Sequence, residues 1–115
     1  MRTFYRWNLG TMNWRKLSGE RLDKDLIDEV RDALVRETEH RIKVCIGSDS
    51  QVKGAITEFA TAIVFLREGK GGFAFVQNYV SEHDFSIKER MLQEVTDSIQ
   101  TAYEVCPVLD ELNVE

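Results

Sequence analysis

The chain has 115 residues, the length of a single domain, of which 43% are hydrophobic and 30% are charged. This balance is typical of a globular protein and excludes a disordered or a membrane-embedded one. No apolar run approaches the ~20 residues of a membrane span, and the N-terminal segment lacks the apolar core of a secretory signal. Two cysteines, Cys45 and Cys106, are too few for a disulfide framework, so we expect a cytoplasmic protein.

The charge balance limits the ways in which this chain could bind nucleic acid. Lys and Arg together number 15 against 20 Asp and Glu, which gives a net charge of -5. That is the wrong sign for a protein that holds nucleic acid mainly by neutralising phosphates, although it does not exclude an enzyme that works through bound metal ions. A chain of this length buries only about 60–70% of its unfolded surface, which favours a partner subunit.

The N-terminal segment, residues 1–22, mixes aromatic and basic side chains without a sustained period. We interpret it as an arm laid over the core by its aromatic rings. Because basic side chains interleave with the rings, an arm that stacks on nucleic acid is the alternative. Residues 23–115 form the predicted core. It begins with a helix over residues 23–38, where apolar residues recur at three- and four-residue steps and Asp23 is placed to cap the first turn.

Three strands are predicted next, because the apolar pattern changes to the two-residue period of a strand. They cover residues 41–48, 58–67 and 73–80, joined by a turn at 51–54 and a glycine-rich loop at 68–72. The middle strand is apolar on both faces, which predicts a central position in the sheet. Because the connections are short, we expect an antiparallel meander.

A second helix is predicted over residues 85–105. Its apolar stripe is expected to pack on the sheet and consists of Ile87, Met91, Val95, Ile99, Ala102 and Tyr103. Asp84 or Ser86 is the expected cap, and Ser86 with Glu89 three residues later makes a capping box. Pro107 is expected to end the helix, because the residue before a proline is displaced from helical geometry.

Asp49 is the first candidate for chemistry, within the hexapeptide IGSDSQ at residues 46–51. A carboxylate at the end of an apolar strand loses hydration, so it must be paired, hydrogen-bonded or bound to a metal ion. On these residues alone, an aspartate that caps the following turn through its own backbone is the competing interpretation.

Glu94 is the second candidate, at the border of the predicted apolar stripe. A helix packed across the meander could bring it to Asp49, and a divalent cation that bridges two carboxylates relieves their repulsion. Such a site is the basis of two-metal phosphodiester hydrolysis, in which one ion prepares the water and the other steadies the leaving oxygen. The whole site depends on Asp49 and Glu94 facing each other.

Three stretches of the chain resemble the YkuK family of ribonuclease H-like proteins: IGSDSQVKG, TEFATAIVFLREGKGG and SIKERMLQEV. The similarity runs from about Lys43 to Val105, and WRKLSGE nearer the N-terminus is also similar. It implies an α+β, ribonuclease H-like fold with three antiparallel strands, a helix, and then two parallel strands with further helices. It also implies a bacterial cytoplasmic protein.

The resemblance further implies a metal-dependent nuclease that acts on RNA or an RNA/DNA hybrid. Asp49 corresponds to the first-strand aspartate of the superfamily and Glu94 to the helix glutamate, with Glu89 as the alternative register. In the superfamily these residues hold Mg²⁺ or Mn²⁺. Apart from the resemblance, Gln51 and Lys53, in the turn after Asp49, are the candidates for contact with a substrate phosphate or sugar, and the ordinary polarity of a turn is the alternative explanation.

The sequence departs from the family pattern near its C-terminal end. Residues 112–115 alternate like the start of a fourth strand and then stop, so the family's third ligand, an aspartate on that strand, has no counterpart. The first strand would then expose an edge, which a second copy of the chain could cover to make a homodimer. The alternative to a nuclease is therefore a non-catalytic binding or scaffold module that self-associates.

Overall fold

The computed structural model describes residues 14–37 and 41–112. Phe4, Tyr5 and Trp7 of the predicted arm lie outside these ranges, as do residues 113–115 of the predicted strand start. The elements in chain order are β1 (Trp14–Lys16), α1 (Leu26–Arg36), β2 (Ile42–Lys53), β3 (Ile56–Arg67), β4 (Gly71–Ser81) and α2 (Ile87–Glu111). Within the described ranges, no helix combines the length and the hydropathy needed to cross a membrane.

The four strands form one antiparallel sheet in the order β1-β4-β3-β2. The predicted meander is confirmed, and β3 lies inside the sheet as its two apolar faces predicted. The strand β1 was not predicted; it belongs to the presumed arm, and Trp14 pairs with Gln77 of β4. Three residues are too short a run to show a strand period, so only pairing with β4 defines this strand.

The hairpin between β2 and β3 is tighter than predicted. Paired positions run from Ile42 with Arg67 to Lys53 with Ile56, so the expected turn at 51–54 is mostly strand. Only Gly54 and Ala55 reverse the chain, and Gly54 has a φ of 62°. A two-residue hairpin of this kind needs a left-handed backbone, which glycine adopts without a steric penalty.

The helix α1 starts later than expected. Its N-cap is Asp25, whereas the backbone N–H of Asp23, the predicted cap, donates to the Glu29 carboxylate at 2.9 Å. Leu26 and Val30 are buried as their spacing predicted.

The hydrophobic core occupies one end of the sheet, beneath α1 and the C-terminal part of α2. Phe65 is fully buried there and packs against Phe73 and Phe75, with ring centroids 4.7 and 5.4 Å away. Trp14 of β1 also belongs to this core and is 1% exposed. The side chains that α2 contributes to the core are Val105, Val108 and Leu109.

The helix α2 continues past Pro107, which corrects the prediction that this residue ends it. Proline removes one backbone donor and disfavours the helical turn before it. Here Val108 and Leu109, which follow the proline, are buried against the core, and this tertiary packing offsets the local cost. Local rules for helix ends hold only when no such packing opposes them.

The orientation of α2 contradicts the predicted core. The apolar stripe was expected to face the sheet, yet the side chains of Ile87, Met91, Val95, Ile99 and Tyr103 are between 50% and 77% exposed. The face that meets the sheet instead carries polar residues in its first part, namely Gln93, Asp97 and Thr101. The part of the sheet beneath them also carries buried polar residues, Thr57, Thr61, Gln77 and Ser81, around the fully buried ring of Phe59.

The capping box of α2 is confirmed, and it gives a direct test of the N-terminal boundary. Ser86 Oγ accepts from the Glu89 N–H at 3.1 Å, and the Ser86 N–H donates to the Glu89 carboxylate at 2.8 Å. We expect Ser86→Ala to lower the free energy of unfolding by about 1 kcal/mol, because the Glu89 N–H loses its acceptor. Urea denaturation measures this loss, and Ser86→Asp, which keeps an acceptor at the cap, is the control that should retain wild-type stability.

The same box makes part of the stability depend on pH. The Ser86 backbone N–H, which donates to the carboxylate, lowers the pKa of Glu89. A carboxyl whose pKa falls on folding stabilises the folded state above its unfolded pKa, and this contribution is lost as pH falls through the lowered value.

Candidate functional site

Asp49 lies on the face of the sheet that carries no helix in the described part of the chain; we name this the outer face. It is exposed and pairs in register with Ala60 of β3. Small side chains surround it and leave a shallow depression, to which Gly47, Ala62 and Val76 contribute.

Glu94 lies on the opposite face, between α2 and β2; we name this the inner face. Its carboxylate accepts a hydrogen bond from the Ser50 hydroxyl. Arg90, one turn earlier on the helix, donates through Nε to Ser50 Oγ at 3.0 Å and through Nη2 to the Ser50 carbonyl at 3.4 Å. Ser50 therefore joins the two charged side chains of α2 to the edge strand.

The structure does not bring Asp49 and Glu94 together. Successive side chains of a strand point to opposite faces, and since Ser50 contacts α2, its neighbour Asp49 points away from the helix. Glu89, the alternative second ligand, is held in the capping box at the start of α2. Within residues 14–37 and 41–112, no three His, Cys, Asp or Glu side chains group closely enough to hold a metal ion. The donor set therefore does not fit a Mg²⁺ or Mn²⁺ ion bridging strand and helix.

Gln51 and Lys53, the predicted substrate contacts, alternate with Ser50 along β2 and share the outer face with Asp49. Lys53 forms an ion pair with Glu58 of β3, with its Nζ 2.7 Å from Oε1, and this hydrogen bond lowers the pKa of Glu58. Asn78 of β4 donates to the same carboxylate at 3.3 Å. The structure thus brings three of the four predicted site residues to one face and leaves Glu94 on the other.

The model of one protein family, described as Ribonuclease H-like, matches residues 25–115. This chain belongs to the ribonuclease H-like family. The α+β architecture, with an antiparallel sheet and a long helix after the third strand of the meander, is consistent with that fold without a C-terminal part. No curated protein matches the chain significantly, and no solved structure does so either.

A buried polar cluster between α2 and the sheet is the feature of this ribonuclease H-like domain that sequence reasoning missed. Asp97 is fully buried. Its carboxylate accepts from the Tyr79 hydroxyl at 2.6 Å and from the Gln93 amide at 2.8 Å. Buried polar groups are stable only when hydrogen-bonded, so these contacts fix how α2 lies on β4.

A second set of hydrogen bonds ties α2 to β2 and β3. Ser98 Oγ donates to Ser48 Oγ at 2.8 Å, and Ser48 Oγ and Thr61 Oγ1 are 2.9 Å apart. Two patterns in the sequence indicated a polar contact between α2 and the sheet. Ser48 and Ser50 alternate along the strand, and polar residues recur at helical spacing as Arg90, Gln93, Glu94, Asp97 and Thr101. The prediction nevertheless placed the apolar stripe, on the other side of the helix, against the sheet, because an apolar stripe on a helix is usually buried.

Proposed function

We propose that this ribonuclease H-like domain is a non-catalytic binding module that associates with a second copy of itself. The outward apolar face of α2 carries this proposal. In the described part of the chain, more than half of the large exposed hydrophobic side chains lie on this one helix. Contiguous apolar surface of this kind marks interaction sites on soluble proteins.

The positions of the acidic residues support the same proposal. Metal-dependent hydrolysis requires carboxylates that converge on one point. Asp49 is exposed on the outer face, whereas Glu94 is hydrogen-bonded to Ser50 beneath α2. A ribonuclease H-like domain in which Asp49 and Glu94 lie on opposite faces of the sheet is better suited to binding than to phosphodiester hydrolysis.

The free edge of β2 is a second surface for self-association. In the described residues no strand pairs with β2 on the side away from β3, and an unpaired edge is a template for another strand. Its exposed side chains include Lys43 and Lys53, near the two ends of the strand. Lysines on an edge strand disfavour pairing, so we assign the main contact to α2.

The mass in solution tests the proposal. Light scattering behind a sizing column, repeated over a range of protein concentrations, should give a mass above the 13.3 kDa of one chain. The apparent mass should rise with concentration, because association follows mass action. A mass that stays at one chain throughout would contradict self-association.

The family match favours a second candidate function, a nuclease of the cytoplasm that acts on RNA or an RNA/DNA hybrid with Mg²⁺ or Mn²⁺. Titrating Mn²⁺ into wild type and Asp49→Asn, while following melting temperature and cleavage of a labelled hybrid, separates the two candidates. The binding module should show neither stabilisation by metal nor cleavage in either protein. Cleavage by the wild type that disappears in Asp49→Asn would favour the nuclease.

A further inference from the structure

We propose that two copies of this chain pair through α2 in antiparallel orientation, along one row of residues on its outward face. This inference rests on the proposed self-association and specifies its surface and geometry. We name the row the seam. Its members follow one another at steps of four, three, four, three and four residues: Lys88, Leu92, Val95, Ile99, Ala102 and Cys106.

The spacing of the seam is that of helices that pack side by side. Alternating steps of three and four residues keep side chains on one line of a helix, which is the pattern of positions a and d in a coiled coil. Helices that pack in this way cross at about 20°. Leu92, Val95 and Ile99, at the centre of the seam, are 58%, 55% and 50% exposed, so the line is open for a partner helix.

Beside the central part of the seam, between Leu92 and Ala102, the outward flanks carry no charged residue, and the charged flank positions Glu89 and Asp110 lie at its two ends. Met91 lies along one side, and Thr96 and Tyr103 lie along the other. In coiled coils these flanking positions usually carry the charged residues that keep a helix in water. Met91 is 59% exposed and Tyr103 is 77% exposed, so the apolar surface is broader than a single row.

Size complementarity favours the antiparallel orientation. In a parallel pair each seam residue meets its own copy, so that Ala102 would face Ala102 and leave a gap, while Lys88 would face Lys88. In an antiparallel pair Leu92 lies opposite the partner's Ala102, and Val95 lies opposite the partner's Ile99. The layers of the antiparallel pair then differ less in summed side-chain volume than those of a parallel pair, which favours even packing.

Charge favours the same orientation. The seam begins at Lys88 near the N-terminus of α2, and the last turn of the helix contains no basic residue. Asp110, which is exposed, lies in that last turn on the flank that carries Tyr103. Antiparallel pairing brings Lys88 towards the partner's Asp110, whereas parallel pairing sets like charges side by side. Like charges in contact disfavour the wrong orientation.

A matched pair of substitutions tests the surface. Val95→Glu places a charge at the centre of the seam, and Val35→Glu makes the same change on the exposed face of α1, where the valine is 53% exposed. We expect Val95→Glu to give the mass of one chain at concentrations where the wild type and Val35→Glu give the mass of two. Circular dichroism should show all three proteins folded, since both valines are already accessible to water.

Cross-linking tests the orientation. In a Cys45→Ser background, Cys106 is the remaining thiol, and a short bis-maleimide joins two copies only if their thiols are close. The antiparallel pair predicts little cross-linked dimer until Lys88→Cys is added, and then a link between positions 88 and 106 of different chains, identified by peptide mass spectrometry. A link between two copies of Cys106 would overturn the antiparallel orientation.

The outcomes separate the two proposals. If the wild type is a dimer and Val95→Glu leaves its mass unchanged, the seam is wrong but self-association stands. If the wild type stays monomeric at every concentration, both proposals fail.

Discussion

Replacing Trp14 by alanine is expected to lower the free energy of unfolding by about 3–5 kcal/mol. The indole is 1% exposed and closes the hydrophobic core from the short edge strand β1. Its removal leaves a large cavity at a point where a three-residue strand has few other contacts to hold it. Small domains are stable by only about 5–15 kcal/mol, so the variant should lose much of its stability. Urea denaturation followed by circular dichroism measures the change.

Leu17→Ala is the control for Trp14. Leu17 directly follows β1 but is 72% exposed, so its truncation should change stability by less than about 0.5 kcal/mol. Equal stability of Trp14→Ala and wild type would show that β1 does not contribute to the stability of the hydrophobic core.

Asp97→Ala is expected to destabilise the domain by about 2–4 kcal/mol. The substitution removes the acceptor of both the Tyr79 hydroxyl and the Gln93 amide in a fully buried position. A buried donor that loses its acceptor costs about 1–3 kcal/mol. Denaturant unfolding measures the loss, and Asp110→Ala, which removes an exposed acid from the same helix, should be nearly neutral.

A double-mutant cycle shows how much of this loss belongs to the Tyr79–Asp97 pair. Combining Asp97→Ala with Tyr79→Phe should cost less than the sum of the two single changes, because the phenylalanine leaves no hydroxyl without an acceptor. We expect a coupling of about 0.5–3 kcal/mol, the range for residues in direct contact. Strict additivity would mean that the Tyr79–Asp97 hydrogen bond does not contribute to holding α2 on β4.

The order of the main elements could be predicted because each element has a local sequence pattern: a two-residue or helical period, or a capping box. Two-residue alternation identified β2, β3 and β4, and the apolar residues on both faces of β3 gave its inner position. Helical spacing identified α1, and Ser86 with Glu89 identified the start of α2. The ends of the elements were predicted less well, since pairing with β3 extended β2 to Lys53 and core contacts continued α2 past Pro107.

The candidate site could be predicted only in part. The sequence drew attention to Asp49, Gln51 and Lys53, which do share one face of β2. Helical spacing placed Glu94 at the border of the stripe but could not tell which side of α2 would face the sheet. The helix is amphipathic in either orientation, and the buried side was decided by polar partners distant in the chain, such as Tyr79.

The family resemblance implied the α+β class, and local periodicity by itself determined the two helices, the antiparallel meander and the capped start of the long helix. These features depend on residues close together in the chain, so neighbouring side chains suffice to specify them. Only the tertiary structure decided that Trp14 joins the sheet, that α2 turns its polar side inward, and that Asp49 and Glu94 lie on opposite faces. Each of those outcomes depends on hydrogen bonds or packing between segments far apart in the sequence. A local pattern shows that a helix or strand has two different faces, but it does not specify which face packs against a distant segment.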